Sequence, residues 1–152
     1  MPLCKPFILM FVVCLLFPTN LRAGVTTIQP LSFGNFVVKR NDAQYDITIN
    51  TDGSVAYDSA GYIQISPPQQ GIYDIDGLPL AMAISSVDVT QFGPLSAAGN
   101  LFQMVDFQET HPAATVGGVA RIVIGATARS TGNGIAYFDQ TYTGTVQIQI
   151  NF

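Results

Sequence analysis

Tryptophan is absent from the 152 residues, histidine occurs once, cysteine twice, and only 11% of the chain is charged. Each shortage removes a class of function. Both cysteines, Cys4 and Cys14, lie near the amino terminus. The rest of the chain therefore offers no disulfide framework, thiol nucleophile or cysteine zinc site. The single histidine, His111, precedes Pro112 in loop-like sequence. It cannot form a histidine metal pair, and no G-x-S-x-G elbow is present for it to serve as a base. Beyond Arg22 the only basic residues are Lys39, Arg40, Arg121 and Arg129, against ten acidic ones. Nucleic acid, which needs a clustered positive surface, is excluded as a partner. No stretch long enough for a helix keeps a helical period.

What is present begins with a leader. Lys5 supplies a basic start, and the apolar run from Phe7 to Phe17 is eleven residues long. Pro18, Thr19 and Asn20 break it, and Ala23 places a small residue before Gly24. These are the parts of a secretory signal peptide. Eleven residues fall short of the roughly 20 that span hydrocarbon, so the run is not read as a membrane anchor. The expected organisation is a signal peptide over residues 1–23 and one domain over 24–152. The mature chain then has no transmembrane segment and is exported to the periplasm, cell surface or extracellular space.

The domain is dominated by period two. The segment from Gln44 to Asn50 puts Tyr45, Ile47 and Ile49 on one face, and that from Gly71 to Asp76 points Tyr73 and Ile75 inward. Ile122, Ile124, Ala126 and Ala128 share a face between Arg121 and Arg129. Thr145 to Phe152 alternates without an error. Half-buried strands require this pattern, because successive side chains point to opposite faces. Shorter runs lie at Phe33 to Val38, Tyr62 to Ile65, Leu80 to Thr90, and Leu101 to Phe107. The pair Ser85-Ser86 breaks the phase of the third run, as a bulge or bend does. The fourth has no clear phase and reads as an edge strand. Turn residues fall between the runs, at Asp52-Gly53, Asp76-Gly77, Pro67-Pro68, Gly93-Pro94, Gly99-Asn100, Gly117-Gly118 and Gly132-Asn133-Gly134. The spacing predicts an all-β antiparallel sandwich of about eight or nine strands.

Chemistry is sparse. Asp74-x-Asp76-Gly77 resembles a fragment of a calcium loop, but no terminal bidentate Glu follows, and the strand pattern already explains both aspartates. Gly132-x-Gly134 has no following helix and is no phosphate cradle. The reading names no catalytic, cofactor-binding or metal-ligating residue and implies no cofactor. The last strand is the better clue, since its outward residues Thr145, Gln147, Gln149 and Asn151 carry no charge. Edges of monomeric proteins are usually guarded by charge, proline or bulges. Either this strand is interior and paired on both sides, or Gln147, Gln149 and Asn151 mark an edge that another chain pairs with.

Three motifs stand in order along the chain: Ile28-x-Pro30-Leu31-x-Phe33-Gly34-x-Phe36, Gly71-x-Tyr73, and Tyr142-x-Gly144-Thr145 before the alternating terminal strand. Together they resemble the bacterial secreted family catalogued as domain of unknown function 4402, itself similar to pilin-type and spore-coat-U-type subunits. The resemblance implies an immunoglobulin-like (pilin-like) sandwich with Phe33, Gly34, Tyr142 and Gly144 as structural motif residues. It transfers no biochemical activity. The expected function is a structural or surface-associated subunit that self-associates or pairs strands with other surface proteins. A monomeric binding module for a carbohydrate or small ligand is the alternative, and an enzyme is the third class.

Overall fold

The computed structural model describes residues 23–97 and 100–152, so the leader before Ala23 and the turn residue Gly99 lie outside the described residues. Ten strands follow one another: β1 (Gly24–Gln29), β2 (Asn35–Val38), β3 (Asp46–Ile49), β4 (Val55–Tyr57), β5 (Tyr62–Ser66), β6 (Gly71–Asp76), β7 (Ser86–Ala97), β8 (Asn100–Thr110), β9 (Ala120–Arg129) and β10 (Thr143–Asn151). All pairings are antiparallel, and no described residue is helical.

Alternation fixes the centre at β9, where Ala120, Ile122, Ile124 and Ala126 have no exposed surface. Its first half pairs with β6 (Ile75↔Ala120, Gly71↔Ile124), and its second half pairs on the same side with β3 (Ile49↔Ala126, Asp46↔Arg129). Strand β8 covers the other side from Gln103↔Arg129 to Thr110↔Val123. Gly125 sits where β6 gives way to β3, and a Cβ there would run into the Ile49 carbonyl oxygen. Burying Ile122 and Ile124 contributes about 1.5–3 kcal/mol each.

One face of the sandwich is β1-β6-β9-β8 with the β3–β4 hairpin attached, and the other is β7 with β10. The two faces meet at a corner. Strands β7 and β8 pair only at Leu95↔Phe102, Ser96↔Leu101 and Ala97↔Asn100, and then separate toward β10 and β9. The first core cluster lies between the faces and joins Ile75, Ile84, Val87, Ala120, Ile122 and Ile124. A second, aromatic cluster of Ile47, Tyr62 and Phe102 lies toward the other end, with Phe33, Phe36, Tyr137 and Tyr142 packed on it. A separate ribbon of β2 and β5 contributes Phe36, Val38 and Tyr62 to this cluster. Tyr62 is buried, and its hydroxyl donates to the Tyr45 carbonyl at 3.0 Å.

Several expectations need correction. There are ten strands rather than eight or nine, the added ones being β1 and the short return strand β4. Gly93-Pro94 is no turn. It lies inside β7, where Gly93 pairs with Thr145 and β7 bulges against β10, with an extra residue between Ser96 and Gly93 and another between Gly93 and Gln91. The run from Leu80 to Thr90 is loop as far as Ser85, and the strand starts at Ser86. The run from Leu101 to Phe107 is not an edge but part of β8, paired by both β7 and β9. Its unclear phase has a local cause: the register slips between Val105 and Gln108, and Asp106 takes φ +50° there.

Candidate functional site

Strand β10 is built from residues that neither repel nor terminate a neighbour, and among the described residues it pairs with β7 alone. The ladder runs from Val146↔Gln91 through Ile148↔Val89 to Asn151↔Ser86. At the opposite end of the strand order, β1 pairs among the described residues only with β6, from Gly24↔Asp76 to Gln29↔Ile72. The Val25, Thr26, Thr27 and Ile28 residues of β1 are all exposed. The sandwich thus has a single-sided strand at each end of its strand order.

An open trough of about 470 Å³ lies between them. Its walls are Val146, Ile148, Ile150 and Phe152 from β10, and Tyr73 and Ile75 from β6, with Val25 on the β1 side. Among the described residues, no charged side chain lines it. Ile148 and Ile150 are half-buried and pack on the first core cluster, so the trough is an unfinished edge of the core itself. Apolar side chains repeat at every second residue of β10, the spacing at which an extended strand presents one face. The backbone edge of an unpaired strand carries N–H and C=O groups free to bond another chain.

On the outer face of β10, Gln147 and Gln149 are exposed. The Gln149 amide donates to Asn151 Oδ1 at 3.1 Å, and Asn151 donates in turn to Ser86 Oγ at 2.9 Å and Asp88 Oδ2 at 2.8 Å. Gln147, Gln149 and Asn151 all belong to β10, and Asn151 is tied back to β7.

The motif residues lie away from the trough. Phe33 and Tyr142 pack on the aromatic cluster, where the Tyr142 ring meets Phe102 edge-on at 5.2 Å and its hydroxyl donates to the Phe138 carbonyl at 3.1 Å. Gly34 has φ +74°, and a Cβ there would press on the Ser66 carbonyl at 2.5 Å. Gly144 lies 3.0 Å from the Gly93 carbonyl and 2.9 Å from the Met104 methyl, measured from where a Cβ would stand, so the close approach of bulged β7 leaves little room for a side chain.

The charged residues are engaged elsewhere. Arg121 holds Asp74 through two bonds of 2.8 Å, which keep that carboxyl below the usual carboxylate range. Arg129 holds Asp46 in the same way and reaches Asp106 at 3.5 Å. His111 is half-buried, with Nδ1 at 2.6 Å from Glu109 Oε2. Among the described residues no three His, Cys, Asp or Glu side chains gather as a metal site. Nor does any helix among them have the length and apolarity to cross a membrane.

The trough is the feature that residue-by-residue reading missed. Strand β1 was its hidden wall, because the alternation predicts no strand before Phe33. The β-branched run Val25-Thr26-Thr27-Ile28 was the available signal. Compared with known proteins, the chain matches no family model, no curated protein and no solved structure.

Proposed function

We propose that this protein is an extracytoplasmic structural or surface-associated subunit, pilin-like, that works through protein–protein contacts and performs no catalysis. It receives an extended strand of a second copy, or of another surface protein, beside β10. The observation that carries this reading is the charge-free trough between two single-sided strands. A β-strand with apolar residues at alternate positions fits both needs of that trough: it covers the apolar walls and bonds the free backbone edge. The alternative, a site for a carbohydrate or small polar ligand, needs convergent polar groups to orient its occupant. Here the lining is apolar, and the Tyr73 hydroxyl already accepts from the Leu31 N–H at 3.1 Å.

Size-exclusion chromatography with light scattering, followed by negative-stain microscopy, tests the proposal on the exported protein. Assembly that grows with concentration supports it. Placing Lys at both Gln147 and Gln149 adds like charges beside the edge while leaving Val146, Ile148 and Ile150 in place, and this should weaken assembly most at low salt.

A further inference from the structure

Two independent features meet at one peptide bond. The sequence ends its leader at Leu21-Arg22-Ala23, a small-residue exit. In the fold, Ala23 is exposed at the trough, and the next residue, Gly24, starts β1 opposite Asp76. The Gly24 N–H donates to Asp76 Oδ1 at 3.1 Å. A Cβ on residue 24 would run into that same oxygen, so the missing side chain is what lets the carboxylate close on the backbone nitrogen.

We propose that an exported endopeptidase hydrolyses the Ala23–Gly24 bond, and that the ammonium created on Gly24 clamps onto the Asp76 carboxylate and fixes the β1 wall of the trough. Water supplies the hydroxyl that completes the Ala23 carboxyl group and the hydrogen that completes the Gly24 amine. The new amine then takes a proton from solvent, while the Ala23 carboxyl loses one and departs with the leader. An α-amine titrates at about 7.7–8.0, so it is mostly charged at neutral pH. Processing therefore converts a neutral amide donor into a charged one at the same place, and charge-assisted hydrogen bonds are roughly twice as strong.

Position gives the clamp its purpose. Among the described residues β1 is held by β6 alone, and Gly24 is the end from which it would fray. The neighbouring carboxylate on β6, Asp74, stands opposite Thr26 and is already taken by the Arg121 guanidinium. Asp76 is thus the acid that faces the new amine. Cleavage also removes Ala23 from the trough, widening it at that point.

The test uses the exported protein with its α-amine left free or selectively acetylated, since acetylation restores a neutral amide N–H at Gly24. Intact mass should show a chain starting at Gly24; any other start overturns the proposal. Asp76→Asn should lower the melting temperature of the free-amine form by about 2–4 °C more than that of the acetylated form. Equal losses in the two forms would mean an ordinary amide hydrogen bond and no clamp. Gly24→Ala, which displaces the carboxylate, should match Asp76→Asn and add little to it; full additivity would also count against the clamp. Mass and melting read the clamp, whereas assembly reads the trough, so either reading can fail without the other.

Discussion

Two glycines in mid-strand should respond oppositely to the same small change. At Gly125 an added Cβ meets backbone on the neighbouring strand: the Ile49 carbonyl oxygen, and Asn50 C and Cα at 2.9 and 3.1 Å. Backbone cannot rotate away as a side chain does, so β3 must shift from β9 and loosen a ladder that runs from Asp46↔Arg129 to Ile49↔Ala126. Overpacking of this kind costs about 1–3 kcal/mol, which is about 3–12 °C in melting temperature for a domain of this size. At Gly93 a Cβ meets nothing within 4 Å, and its φ lies outside the left-handed region. Gly93→Ala should therefore stay within about 0.5 kcal/mol of the parent. Thermal melts of both variants measure the contrast, and hydrogen exchange should locate the Gly125→Ala damage in β3 and β4. Equal melting temperatures for the two variants would refute the claim that β6 and β3 meet end to end on β9.

Three further substitutions read the core and the edge. Burial holds the Tyr62 phenol above its ordinary value of 10.0. The unfolded chain therefore loses its proton first, so stability should fall by about 1.4 kcal/mol per pH unit once pH rises past the ordinary tyrosine range. Tyr62→Phe should cost about 0.5–1.5 kcal/mol near neutrality and flatten that alkaline slope, as denaturant melts across pH will show. An unchanged slope in Tyr62→Phe would place its origin in another group. Ile148→Asp puts a carboxylate on the trough wall, where half-burial limits the loss to the lower part of the 2–5 kcal/mol typical of a deleted core Ile. Gln147→Asp, on the exposed face, should change stability by less than about 0.5 kcal/mol. Equal damage from these two in urea melts would mean that both faces of β10 are covered.

What could be read in advance depended on whether a strand's partners leave a mark in its own residues. Strands β6 and β9 were legible because their core-facing positions alternate, as Tyr73/Ile75 and as Ile122/Ile124/Ala126/Ala128. Strand β8 was misjudged because the bulge at Asp106 resets its alternation while the strand stays interior. Gly93-Pro94 looks like a turn, yet β7 continues through it, since a proline is tolerated where β7 itself bulges opposite Gly144 and interrupts the ladder. For β10 the alternation showed which face goes inward but left interior and edge both open. The number of neighbours is a tertiary fact, and among the described strands the fold gives β10 only β7. The trough was invisible for the same reason: its walls come from residues as far apart as Val25 and Phe152.

The most direct test is light scattering on the exported protein across a rising concentration series, set beside its Gln147→Lys/Gln149→Lys form. A strand-receiving edge at β10 predicts mass that grows with concentration in the native protein and stays monomeric in the double variant, with both forms melting alike. A native protein that remains monomeric throughout the series, or a double variant that assembles as well as the native protein does, would contradict it.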